Sequence, residues 1–479
     1  DKSRYVADSL SDSTAVFETF EIERQILKVK DGDQRLLEIR HTDHGPVISD
    51  IYPNQSLIGD QVISMQWAGY DTTSNELKSL YQMNWAESFQ DFQDALAFFG
   101  VPGLNLMYGD RTGNIAMFSA GNIPIRDGDP ITFRRGWAPE DDWKGYIPRD
   151  KMPRVINPEK GWIANANNKL YTDEYPYYIA TFWEPPSRIE RITESLSPDT
   201  LFSVPDFSRL QNDSYSMFAR KNTPIILDII RNQQVYNFDE VVSYLENWNY
   251  RYEGNETAAS LFDTIFLNIT KNTLRDEFGA ETFDVFLFHE NVPVRTLTRF
   301  LQDSSSFFDN IETEELETKQ DIVLKSVQDA LYFLSDSLGD ESFEWRWEQL
   351  HTITFKPPLF AEAAESEEAP FPLKLIVNNV LQKGPYAADG HGMSVNNGQY
   401  NWEDPFEMVL GPSIRRIVDF SDLSKSYSVL STGQSGNPLS GHYGDQIELW
   451  LEGNYREFYQ DSTLFEVQQP EKMILMPKN

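Results

Sequence analysis

The hydrophobic period changes twice along this chain, and that alternation restricts the fold more than any single motif does. From about residue 20 to residue 163 apolar residues alternate as in half-buried strands, for instance Leu37-Glu38-Ile39-Arg40 and Asn114-Ile115-Ala116-Met117-Phe118, with a short apolar pair at Val47-Ile48. One short helix interrupts this block. Between residues 85 and 99, Phe89, Phe92, Leu96 and Phe99 recur at spacings of three and four and form one apolar stripe. From about residue 189 to residue 338 the period becomes helical: Ala258, Leu261, Phe262, Ile265 and Ile269 form one stripe, and Val323, Val327, Ala330, Leu331 and Leu334 another. Asn237 followed by Glu240 resembles a capping box opening a helix over residues 241–248. Ala361-Glu362-Ala363-Ala364-Glu365-Ser366-Glu367-Glu368 is acidic and low in complexity, and reads as a solvated loop or short exposed helix. Strands are expected again at Leu373-Lys374-Leu375-Ile376-Val377 and Ser426-Tyr427-Ser428-Val429-Leu430. Strands, helices and strands in one chain point to an α+β protein with a helical insert.

Charge and composition then remove several function classes. Against 41 Lys and Arg stand 75 Asp and Glu, a formal charge of −34, which repels nucleic-acid phosphates and anionic lipid surfaces. With 40% apolar and 13% aromatic residues the chain is too hydrophobic for a disordered acidic tail, so the excess charge belongs on a solvated surface. The absence of cysteine excludes disulfides, thiolate nucleophiles and cysteine-ligated metals. No window approaches the 18 or so consecutive apolar residues of a membrane-spanning helix, and Asp1-Lys2-Ser3-Arg4 carries no hydrophobic signal region.

Several residue clusters carry side chains able to act chemically. Gly161-Trp162-Ile163-Ala164-Asn165-Ala166-Asn167-Asn168 reads as a buried strand that carries amides. In a strand Asn165 and Asn167 share a face, and an unpaired buried amide costs about 1–3 kcal/mol, so a substrate could be the missing partner. The alternative is a turn-forming Asn cluster at a strand end. Arg188 follows Pro185-Pro186-Ser187 and the largely apolar residues 179–183, where a guanidinium pairs with a carboxylate, orients polar groups or is simply solvated. His41 and His44, three apart at a strand end, point to opposite faces and make a poor metal pair. The six histidines include no His-Glu-x-x-His, and the phosphate-loop and dinucleotide fingerprints are absent. Gly433-Gln434-Ser435-Gly436 lacks the Gly-x-Ser-x-Gly of a nucleophile elbow and is followed by Asn437-Pro438, so a structural turn is expected. Asp110-Arg111-Thr112-Gly113-Asn114 reads as a hairpin turn between two apolar runs.

Read in order, these pieces resemble the penicillin acylase family of N-terminal nucleophile hydrolases. The likeness begins at Arg40-His41-Thr42-Asp43-His44-Gly45-Pro46-Val47-Ile48 and Gln66-Trp67-Ala68-Gly69, and continues through Pro102 to Asn105. It then takes in Tyr108-Gly109-Asp110 with Gly113-Asn114-Ile115, Pro124-Ile125-Arg126, and Trp143-Lys144-Gly145-Tyr146-Ile147-Pro148. Next come Asn157-Pro158 with Gly161, the Asn165 to Asn168 cluster and Arg188-Ile189. Gly433-Gln434-Ser435-Gly436, His442-Tyr443, Asp445-Gln446, Trp450 and Gly453 close it. The resemblance implies the four-layer αββα fold. Residues 1–188 are then a sheet region lacking its first segment, 189–340 the helical insert, and 341–479 a second sheet region that completes the same domain. It also implies hydrolysis of an N-acyl amide, such as a β-lactam side chain or an acyl-homoserine lactone, through an N-terminal Ser whose own α-amine acts as base. Asn167 would be an oxyanion donor and Arg188 would orient polar groups around it.

Several expectations follow from where the chain departs from the family. It opens with Asp1, so the nucleophile is expected to be none of its residues, and the chain alone is expected not to hydrolyse an amide. The α chain of the same precursor is the implied partner and the periplasm or the exterior the implied location. No cofactor is expected. A structural calcium ion is doubtful, because a family carboxylate position is occupied by Tyr177, with Asp173 and Glu174 only nearby. Two competing readings remain: an acylase-like binding protein without a nucleophile, and a carbohydrate-binding protein suggested by 11 Trp and 22 Tyr.

Overall fold

The computed structural model describes residues 19–30, 32–51, 62–127, 131–197, 201–233, 235–288, 291–303, 305–357 and 370–460. Asp1 and the acidic stretch 361–368 lie outside the described residues. The chain forms two compact units: residues 1–163 with 169–181, and residues 164–168 with 182–479.

The first unit opens with strands β1 (Glu21–Leu27), β2 (Arg35–Thr42) and β3 (Gly45–Pro46), paired antiparallel in that order. Ile26 faces Leu36 across the β1–β2 register, yet β1 is exposed along its whole length. Helices α1 (Glu76–Asn84) and α2 (Phe89–Leu96) follow. The sequence pattern revealed only α2. Its N-cap is Ser88, whose hydroxyl accepts from Asp91 N, and Arg149 Nη1 donates to the carbonyls of Leu96 and Phe99 at 3.0 and 2.8 Å, holding the other end. Strands β4 (Leu104–Gly109), β5 (Ile115–Ala120) and β6 (Arg154–Ile156) form the second sheet. Phe89, Phe92 and Leu96 of α2 pack on Phe118 and Tyr108 of that sheet, as the three-and-four spacing requires.

The second unit contains the helical block: α3 (Ser187–Leu196), α4 (Val204–Gln211), α5 (Met217–Asn232), α6 (Asp239–Asn247), α7 (Thr257–Phe278), α8 (Ala280–Leu287), α9 (Asn291–Gln302), α10 (Lys319–Leu338) and α11 (Trp347–Leu350). Both expected stripes are core: Ala258, Leu261, Phe262, Ile265 and Ile269 of α7 pack with Val323, Val327, Ala330 and Leu334 of α10 in one buried cluster. Helix α7 is buried beyond its apolar stripe. Its Thr264 and Thr270 hydroxyls donate to the carbonyls four residues back, at 2.7 and 2.9 Å, which satisfies them without solvent. The capping box expected at Asn237 does not form. Helix α6 starts two residues later, Asn237 Oδ1 accepts from Asp239 N, and the Glu240 carboxylate accepts from the Ser342 hydroxyl instead of closing a cap.

Strands β7 (Thr352–Phe355), β8 (Lys383–Ala387), β9 (Gln399–Tyr400) and β10 (Glu407–Leu410) form a sheet in the order β8-β7-β10-β9, with β7 and β10 parallel. Strands β11 (Ile414–Ile417), β12 (Lys425–Leu430) and β13 (Arg456–Tyr459) form an antiparallel sheet. Leu373 to Val377, expected as a strand, is helical over Phe371–Ile376. Pro372 sits in its first turn, where the missing N–H costs nothing and the fixed φ is already helical, and this outweighs the apolar run. The result is an α+β protein, as the change of period implies.

Candidate functional site

The Asn165 to Asn168 cluster is not a strand. Gly161 and Asn167 have φ of +74° and +60°, and a left-handed residue breaks the alternation that would have set Asn165 and Asn167 on one face. The amides close tight turns instead. Asn165 Oδ1 accepts from Asn167 N at 3.2 Å and Asn168 Oδ1 from Ala166 N at 3.1 Å, so the turn reading describes this backbone. Asn165 Nδ2 is buried with no hydrogen-bond partner among the described residues.

Arg188 enters from the first turn of α3. The buried Ser187 hydroxyl donates to Met393 O at 2.6 Å and accepts from Phe218 N at 3.0 Å, which fixes the backbone next to Arg188. Arg188 Nη2 donates to Asn167 Oδ1 at 3.2 Å. A guanidinium can only donate, so it selects the carbonyl end of the Asn167 amide and turns the Nδ2 donors away from itself. The backbone closes the same ring, because Glu184 N donates to Asn167 O at 3.1 Å while the Glu184 carboxylate lies 3.4 Å from Arg188 Nη2. The structure therefore brings Asn167 and Arg188 together, an amide oxygen hydrogen-bonded to a cation that is itself paired with Glu184.

Glu184 escaped the sequence reading. Its signal was the acid-to-base spacing of four, Glu184 to Arg188, which is the orientation that favours an ion pair.

His41 Nε2 meets Glu23 at 3.2 Å and His44 Nε2 meets Asp142 at 2.9 Å, two different carboxylates. Ser435 Oγ accepts from Asn437 N at 3.1 Å in a turn, while His442 Nδ1 pairs with Asp445 at 2.9 Å. Asp110 closes the β4–β5 hairpin, where hydrogen bonds from Thr112 and then Asn114 hold its carboxyl well below the usual carboxylate range. A calcium ion finds a poor donor set around Tyr177. Tyr177 supplies no carboxylate and packs edge-on against Tyr175, while Asp173 pairs with Lys169. Among the described residues no group of three or more His, Cys, Asp or Glu side chains is placed to hold a metal. Nor is any helix among them long and apolar enough to cross a membrane. A cavity of about 650 Å³ lies under Phe355, Met408, Leu410, Tyr443 and Trp450, and neither Asn167 nor Arg188 lines it.

Comparison with known proteins adds to this geometry. The sequence matches the family described as Penicillin amidase over residues 4–465. It is 26% identical to the acyl-homoserine lactone acylase QuiP of Pseudomonas aeruginosa, over 95% of this chain and 57% of that protein. It is 27% identical to the penicillin acylase 2 proenzyme of Pseudomonas sp. strain SE83, over 91% of this chain and 53% of that protein. The chain thus spans about half the length of the curated relatives it matches. Its fold is that of the thermostable penicillin G acylase from Alcaligenes faecalis, with a TM-score of 0.69 at 18% identity over 98% of this chain and 83% of that one.

Proposed function

Because the chain belongs to the penicillin amidase family, we propose that it is the part of an N-acyl amide hydrolase that carries the oxyanion donor Asn167 and its orienting partner Arg188. The observation that supports this most is the Arg188 to Asn167 Oδ1 hydrogen bond, which turns the Nδ2 hydrogens of the exposed Asn167 amide away from the guanidinium. An amide N–H held in one orientation costs no reorganisation when a carbonyl oxygen becomes negative in front of it. The substrates in this reading are N-acyl amides such as an acyl-homoserine lactone or the side-chain amide of a β-lactam.

The chemistry is acyl transfer in two steps. The N-terminal Ser of a mature β chain, supplied from sequence beyond these residues, attacks the carbonyl carbon while its own α-amine takes the hydroxyl proton. The tetrahedral oxyanion accepts from Asn167 Nδ2. Collapse breaks the C–N bond, the proton passes to the departing amine, and an acyl ester remains on the Ser. Water then attacks the ester, gives its proton back to the Ser oxygen through the same base, and releases the acid. The partner in this reading is the α chain of the same precursor. The setting is the periplasm or the exterior, without nucleic acid and without membrane insertion.

The test is Asn167→Ala in the complete protein. Loss of one oxyanion donor is expected to lower kcat about 100- to 1000-fold with little change in KM. Equal turnover by wild type and variant refutes the assignment.

A further inference from the structure

Arg188 is hydrogen-bonded to the candidate oxyanion donor, and its charge is already paired with Glu184. Only 16% of its side chain and 25% of the Glu184 side chain are exposed, so the pair is shielded from much of the screening that weakens surface charges. Glu184 is the one carboxylate that meets Arg188 among the described residues, and the other recorded partner of the guanidinium is the neutral Asn167 amide. Asn167, Arg188 and Glu184 together carry no net charge, inside a protein whose formal charge is −34.

We propose that Glu184 is a specificity-determining residue. By neutralising Arg188 it makes the site favour N-acyl amides whose amine portion is uncharged over those whose amine portion bears a carboxylate. The inference rests on the acylase reading above and narrows its substrate class. The physical reasons are two. A substrate carboxylate arriving beside Asn167 finds Arg188 occupied and meets the like charge of Glu184, and the strongly negative protein field opposes its approach as well. A lactone, which has lost the negative charge of its parent acid, meets neither penalty.

Geometry and charge are separable here. Glu184 holds Asn167 through its backbone N–H, which a side-chain replacement leaves in place, and Glu184→Gln retains an oxygen acceptor for Arg188 while removing the charge.

The experiment uses the complete protein and two substrates with the same acyl chain, an N-acyl-homoserine lactone and its ring-opened carboxylate. Wild type should prefer the lactone in kcat/KM. Glu184→Gln should move the ratio toward the carboxylate by about tenfold, the size of one unit-charge interaction in a partly solvated site. Glu184→Asp, which keeps the charge, should hold the wild-type preference. A ratio unchanged in Glu184→Gln overturns the proposal and leaves the acylase reading standing. Should that variant not fold, wild type supplies the answer: equal kcat/KM for the lactone and for its ring-opened carboxylate overturns the proposal. Cleavage of neither substrate but of the side-chain amide of a penicillin, whose amine portion bears a carboxylate, overturns this inference and leaves the acylase reading standing; cleavage of none of the three overturns both.

Discussion

Helix α7 and the Asn165–Asn168 turn belong to the same compact unit and are held by opposite kinds of force. In α7, Leu261, Phe262, Ile265 and Ile269 are each at most 1% exposed and packed from several directions, so stability is spread over many weak contacts. In the turn, one left-handed Asn, two side-chain amide closures and one guanidinium decide the conformation. Distributed packing tolerates no cavity but is indifferent to direction. Directional bonds contribute little to global stability yet aim a donor. Damage to the first region should therefore be read in unfolding, and damage to the second in turnover.

The largest expected effect is at Phe262, whose ring meets Phe218 and Trp248 at centroid distances of 5.5 Å each. Phe262→Ala should destabilise the protein by about 3–5 kcal/mol, measured as a lower denaturant midpoint at unchanged slope. A loss under about 1 kcal/mol would show that the block is loosely packed and break the contrast. Next is Arg188→Ala, which removes a charge-assisted hydrogen bond and frees the Asn167 amide to rotate. In the complete protein kcat should fall about 10- to 100-fold, with a loss of stability smaller than that of Phe262→Ala even though Glu184 loses its partner. A large stability loss with normal kcat would make Arg188 structural.

The Asp110 hairpin lets the contrast be sharpened by pH in another directional turn. Hydrogen bonds from Thr112 and Asn114 lower the folded-state pKa of Asp110, so its contribution is fully present above the ordinary carboxylate value and is lost as pH falls through the lowered one. Wild type should be more stable than Asp110→Ala at pH 7, and the two midpoints should converge in acid below about pH 4. Parallel pH curves would count against a charge-dependent turn. The smallest effect belongs to Ile26, which is 62% exposed on β1. Ile26→Thr should shift the unfolding free energy by no more than about 0.5 kcal/mol.

Legibility followed the same division. The stripes of α7 and α10 were readable because a helix buried by its apolar face must repeat that face every three or four residues. The β4–β5 hairpin was readable because Asp110, Gly113 and Asn114 are turn formers for local reasons. Helix α1 was missed because its Leu77, Tyr81 and neighbouring Trp85 are largely exposed, so its apolar residues do not mark a core face. The residues 373–377 were misread because an apolar run of five satisfies either a strand or a helix, and Pro372 decided between them.

What the order of residues settled was the set of segments, their periods and the residue types able to act, since these depend on neighbours a few positions apart. The union of Asn167 with Arg188 and Glu184 was settled by the tertiary structure. It depends on a left-handed backbone at Asn167 and on Ser187 being pinned to Met393 O and Phe218 N, which lie 206 and 31 positions away in the sequence. No local pattern encodes which end of an amide a distant guanidinium will choose, because that choice is made by partners that only folding brings within about 3 Å.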